Sequence, residues 1–244
     1  MQHVFTRNVL ALALALGLMA ALSLGLCSAR AQQAPAPAPG APSTTAAEAG
    51  AALLLAAQSG DSLAVRDALV RGAAVDVRDP QGNTALLLAV RGNHVEVARS
   101  LLLHGASPNL QNGMQDSAFL LAGALGRLEI LRMLISYGAD LRSTNRYGGT
   151  ALIPACERGH VDTVAALLAA GVDANHVNRL GWTCLLEAVL LGDGGPAYQD
   201  IVRQLIAAGA DLDLADRHGI TALAHARQRS QHDIERLLRK AGAR

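Results

Sequence analysis

A period of 33 residues constrains this chain more than any other feature. Helix-capping positions recur at Thr84, Ser117, Thr150 and Thr183, and again at Thr221 after a longer interval of 38. At such a position a side-chain oxygen accepts from a free N–H of the first helical turn. The fullest statement of the unit is residues 149–173, GTALIPACERGHVDTVAALLAAGVD. Ala151, Leu152 and Ala155 give a first short helix with small faces, and Gly159-His160 breaks it. Val164, Leu167 and Leu168 then space a second apolar face at helical intervals. Glycines able to end that helix in the left-handed conformation fall at Gly105, Gly138, Gly171, Gly209 and Gly242. One period before Thr84 lies Ala51, with Leu53, Ala56, Gly60, Val65, Leu69 and Gly72 in register. The chain therefore carries six units, the first without its capping threonine. A helix pair this short cannot bury its apolar face alone, so the units must stack.

Four units open on a shared signature: Gly82-Asn83-Thr84-Ala85-Leu86, Gly149-Thr150-Ala151-Leu152, Gly181-Trp182-Thr183-Cys184-Leu185 and Gly219-Ile220-Thr221-Ala222-Leu223. Gly138-Ala139-Asp140 and Gly209-Ala210-Asp211 supply a closing one. With the period, these motifs resemble the ankyrin repeat. The resemblance implies an all-α ankyrin-repeat solenoid of helix-turn-helix units with short β-hairpin fingers. It covers residues 47–244, with repeats near 47–78, 79–111, 112–144, 145–177, 178–215 and 216–244. Gly-Gly-Thr-Ala-Leu-Ile-Pro-Ala from Gly148, Leu180-Gly181-Trp182-Thr183 and Gly192-Asp193-Gly194-Gly195-Pro196 further resemble one exported, periplasmic group of bacterial ankyrin proteins.

Residues 1–31 read as a signal peptide. Arg7 gives a positive start, Val9 to Leu26 is an unbroken apolar run, and Ala29-Arg30-Ala31 is a small-x-small cleavage site. Retention of the run as a membrane anchor is the alternative. Residues 32–46 form a Pro/Ala-rich linker of extended geometry. Cleavage after Ala31 removes Arg7 and Arg30 and no acid, leaving 19 basic residues against 20 acidic ones. A formal charge of −1 lacks the positive field that nonspecific nucleic-acid binding requires. The composition is 51% hydrophobic but 2% aromatic, as stacked Ala and Leu faces demand.

Cys156 and Cys184 remain after cleavage. Cys156 is six residues past its cap and Cys184 one past its own, a stagger of about 7.5 Å along a helix. Neighbouring helices lie roughly 8–10 Å apart. The two Cα atoms should therefore be about 11–13 Å apart, too far for a bridge. Two reduced thiols are expected, Cys156 as buried filler. For Cys184, a first-turn position leaves open a lowered pKa and some reactivity.

Unit-specific departures come next. Pro154 forfeits one early bond of its helix. Phe119 takes the leucine core site of the third unit. Gly192 to Tyr198 replaces the usual two-residue turn in the fifth, and reads as a surface loop free for partner contacts, since no Gly-Lys-Ser/Thr follows for phosphate.

The sharpest binding pattern lies on the fingers. Arg146, Arg179 and Arg217 stand four residues before their caps, with Tyr147, Trp182 and His218 beside them. Arginine and aromatic residues are favoured interface anchors. Against this, Lys240 is the sole lysine, so arginine at turns is also a matter of usage. Histidines His94 and His160 occupy turn positions where the ankyrin pattern has a structural histidine. No catalytic, cofactor-binding or metal site is expected: His218, His225 and His232 fall on a finger, a helix and a turn, and Asp140, Asp173 and Asp211 read as turn residues. The expectation is a non-enzymatic scaffold that binds a protein partner in the bacterial periplasm through the six finger residues and the concave face. Two alternatives stay open: an accessory or inhibitor of an envelope enzyme or toxin, tied to oxidative stress through Cys184, and a structural part of a membrane-tethered complex.

Overall fold

The computed structural model describes residues 44–244, so the expected signal peptide and most of the linker lie outside the described residues. Each unit contributes an inner and an outer helix. The inner helices are α1 (Thr44–Ser59), α3 (Ala85–Gly92), α5 (Ala118–Leu125), α7 (Leu152–Glu157), α9 (Cys184–Leu191) and α11 (Ala222–Gln228). The outer ones are α2 (Ser62–Val70), α4 (Val95–Leu103), α6 (Leu128–Ser136), α8 (Val161–Ala169), α10 (Pro196–Ala207) and α12 (His232–Lys240). Inner packs on inner and outer on outer along the stack, which is the expected all-α solenoid. Helix α1 starts at Thr44, inside the end of the stretch expected as linker, and runs through the position where the other units have a finger.

The caps form as the period requires. Thr84, Ser117 and Thr183 each accept from the N–H three residues on at 3.2 Å, and Thr221 does so at 3.4 Å. Gly72, Gly105, Gly138, Gly171, Gly209 and Gly242 all end outer helices at positive φ. Between them the core is a ladder of fully buried Leu86, Phe119, Leu152, Leu185 and Leu223, so Phe119 does take the leucine site. Burying each such side chain contributes roughly 1.5–3 kcal/mol before entropy is counted.

Thr150, in the most complete repeat of the sequence, is the exception. Helix α7 begins one residue late and its Thr150 Oγ1 is buried with no partner. The cause is Pro154. It has no N–H to give the Thr150 carbonyl, the bond that Leu88, Leu121, Glu187 and His225 make to the capping residue of their own units, so the turn at Thr150 does not close.

The two cysteines are not free thiols. They form a disulfide with Cα atoms 5.5 Å apart, and both residues are buried. The expected 11–13 Å assumed that equivalent residues of neighbouring inner helices sit level. They do not: the end of one inner helix meets the start of the next. The same 28-residue offset recurs one repeat earlier, where a Cβ on Gly123 would lie 2.6 Å from the Ala151 carbonyl oxygen. Between units 3 and 4 this crossing is filled by Gly123 and Ala151, and between units 4 and 5 by the two cysteines. A lowered thiol pKa at Cys184 is thereby removed.

The insertion of the fifth unit is also built into the stack. Pro196 occupies the first turn of α10, which at 12 residues is three longer than its neighbours. Tyr198, half-buried on that added turn, donates its hydroxyl to the Glu157 carbonyl at 3.0 Å. In other units the link back to the preceding repeat comes from His94, which reaches the Gln58 carbonyl at 3.1 Å, and from Gln231, which reaches that of Val189 at 3.1 Å. The extra residues thus replace a turn contact rather than form a separate surface loop.

Candidate functional site

Each finger is closed by one side chain at its base. Asn145 Oδ1 accepts from the N–H groups of Tyr147 and Gly149 at 2.9 and 3.1 Å. Asn178 does the same for Leu180 and Trp182, and Asp216 for His218 and Ile220. Asp79 and Asn112 repeat the pattern. These local bonds are what Asn and Asp offer a turn. The five residues follow the 33-residue period and its one longer step, a signal the reading of caps and glycines passed over. Among the described residues the fingers carry no strand, only isolated bridges at Arg78–Thr84 and Ala215–Thr221.

The three finger arginines divide into two kinds. Arg179 donates a side-chain N–H to the Arg146 carbonyl at 2.8 Å, and its backbone N–H to the Tyr147 carbonyl at 2.9 Å. Arg217 donates to the Arg179 carbonyl. Their stems cross the glycines of the preceding finger: a Cβ on Gly148 would lie 2.9 Å from Arg179 Cγ, and one on Gly181 2.6 Å from Arg217 Cγ. Both glycines also hold positive φ. Arg179 and Arg217 therefore stitch finger to finger. Arg146 instead lies over its own Tyr147 ring, 4.6 Å from the centroid, a cation–π arrangement.

Arg146, Tyr147 and Trp182 come together, while Arg179, Arg217 and His218 do not join them. Arg146, Tyr147 and Trp182 line a concave groove of about 340 Å³ between the fingers and inner helices of units 4 and 5. Tyr147, Leu180 and Leu191 are exposed there, and Trp182 is half-buried against the core. Two carboxylates, Glu157 and Glu187, complete the wall with Asn178. Neither acid was singled out from the sequence, although Glu187 interrupts an otherwise apolar helix, CLLEAVLL. It is only 4% exposed, and Asn178 Nδ2 donates to its Oε1 at 2.9 Å. Burial, then the nearby Glu157 carboxylate, push Glu187 up to about 7 from the usual carboxylate range, while the Asn178 bond pulls the other way.

The equivalent position in the last unit is His225, whose Nε2 lies 2.8 Å from Asp216 Oδ2. Hydrogen bonds from the Ile220 N–H, His225 and the His218 N–H hold Asp216 below its ordinary value, although its removal from water acts against them. The expected turn roles also hold: Asp140, Asp173 and Asp211 each accept from the N–H two residues on, at 2.9, 2.8 and 3.0 Å.

The family model described as ankyrin repeats (3 copies) matches over residues 37–112, 53–145 and 119–216. A crystal structure of an ankyrin repeat domain from Acinetobacter baumannii AYE is 54% identical, covers 79% of this chain and 98% of its own, and superposes with a TM-score of 0.76. The ankyrin repeat protein EF0377 is 43% identical, covers 80% of this chain and 98% of its own, with a TM-score of 0.76. No curated protein matches. Period, caps, stacked helix pairs and these likenesses agree, and the chain belongs to the ankyrin-repeat family.

Proposed function

We propose that this protein is a non-catalytic scaffold of the bacterial cell envelope that holds a protein partner in the groove of units 4 and 5. The carrying observation is the groove itself. It gathers Trp182, the only tryptophan of the chain, with Tyr147, Arg146 and exposed Leu180 and Leu191 on one concave wall. Aromatic and arginine anchors around a concave, partly apolar surface are the features of an interface hot spot. Ankyrin repeats are generally protein-interaction modules, and fold alone names no partner. Two features support export: the leader-like residues 1–31 and a buried disulfide, a bond that persists in oxidising compartments. An oxidative-stress role resting on a reactive Cys184 thiol loses that support.

The test is affinity capture from periplasmic extract with the purified protein as bait. Matched baits carry Trp182→Ala, or Arg179→Ala, after circular dichroism shows both folded. A protein retained by the parent and by Arg179→Ala, and lost from Trp182→Ala, supports the groove. Equal retention by all three refutes it. Intact mass of the exported protein tests the leader, since cleavage after Ala31 and retention of residues 1–31 give different masses.

A further inference from the structure

Resting on that groove reading, we propose that the floor of the groove is a receptor for a lysine or arginine side chain of the partner, held between the carboxylates of Glu157 and Glu187 and against Trp182. The argument begins with charge. Glu187 is buried without a cation beside it: its one hydrogen-bond partner among the described residues is the neutral Asn178. The charge that acts on it is another carboxylate, Glu157.

Two arginines share the lining, but both are engaged elsewhere. Arg158 donates to the Ala124 carbonyl at 2.7 Å, in the preceding repeat. Arg146 lies over Tyr147, and its charge acts on Asp116 of the preceding finger. His176, just before the finger that Asn178 closes, is spent on the Gly148 carbonyl at 2.6 Å. So the lining sets two carboxylates, one almost fully buried, among Trp, Tyr, Leu, Ile and Pro, with two asparagines and the two arginines that reach elsewhere. Such a site gains most from an occupant that is both cationic and long-stemmed. An ammonium or guanidinium satisfies the carboxylates, while its methylene stem covers Trp182 and Tyr147. An anionic or purely apolar occupant leaves both carboxylates without a cation, which is costly for the buried Glu187.

A structural role alone is the competing account, because Asp216 and His225 make a comparable link at the same position of the last unit. The two accounts differ in what Trp182 reports. As the only tryptophan, its emission follows groove occupancy directly.

The probes are three capped peptides, Gly-Ser-Xaa-Ser-Gly, with Xaa as lysine, arginine or the neutral isostere norleucine, titrated into the full purified chain at pH 8. The lysine and arginine peptides are expected to give a saturable change in Trp182 emission, in the millimolar range typical of so small a ligand. Norleucine should bind at least about tenfold more weakly, the loss of roughly one charge-assisted contact. Glu187→Gln keeps the acceptor for Asn178 and the volume of the side chain, and should abolish the preference for lysine over norleucine. Equal binding of lysine and norleucine peptides, an unchanged preference in Glu187→Gln, or no emission change with any peptide overturns the receptor. Equal binding overturns the cation alone and leaves the groove standing as an apolar partner site, whereas the capture experiment with Trp182→Ala judges the groove.

Discussion

Replacing Cys156 and Cys184 together by alanine tests the register of the solenoid, because the bridge exists only if one inner helix ends where the next begins. The bond closes a loop of 28 residues in the unfolded chain. The chain-entropy relation gives about 3.6 kcal/mol of stabilisation at 25 °C for that length. Packing changes add little at Cys184, since alanine stands there in four other units, as Ala85, Ala118, Ala151 and Ala222. Urea unfolding followed by circular dichroism should therefore place the oxidised protein about 2–4 kcal/mol above the double variant. Protein treated with a reductant after unfolding, then refolded, should resemble the variant. Because a solenoid is stabilised by repeat and neighbour terms, the loss should concentrate in α7 and α9, seen as faster amide exchange there than in α3. A non-reducing peptide map must join the peptides that carry the two cysteines. Separate peptides, or stabilities of oxidised and reduced protein within about 0.5 kcal/mol, refute the staggered crossing.

Three further outcomes follow from individual side chains. Thr183→Ala removes a working cap and should cost about 1 kcal/mol, whereas Thr150→Ala, whose hydroxyl has no partner, should cost less than about 0.5 kcal/mol; matched denaturant curves compare them. Glu187 has a folded-state pKa raised to about 7 from 4.5, so its neutral form stabilises the fold fully below pH 4.5, and that contribution disappears as pH rises through 7. Glu187→Gln should then match the parent near pH 4.5 and exceed it at pH 8 by up to about 3 kcal/mol, at 1.36 kcal/mol per pKa unit. Tyr198→Phe breaks the link to the Glu157 carbonyl and should destabilise by about 1 kcal/mol, measured by the same unfolding assay.

The scaffold was readable because caps, core leucines and C-terminal glycines obey one period, and each has a local physical cause. What the period did not carry was the relation between units. The disulfide depends on how inner helices cross, which equivalence of positions does not specify; Gly123 against Ala151 shows the crossing, but only in three dimensions. The idle Thr150 could have been inferred, since Pro154 lacks the N–H that would close the first turn on the Thr150 carbonyl. The Asn and Asp residues at the finger bases were equally available, spaced as the caps are. Arg179 and Arg217 read as free anchors because their sequence position says nothing of the carbonyls they reach. Of the site, Arg146, Tyr147 and Trp182 were legible as a finger pattern. Glu157 and Glu187 were not, because their meeting requires α7 and α9 to be brought side by side.

The most direct test of the groove is a hydrogen-exchange footprint of the protein with and without its captured partner. Binding in the groove predicts slowed exchange in 145–149 and 178–191, with the outer helices α8 and α10 unchanged. Protection confined to the outer helices, or to units 1 and 2, would contradict it.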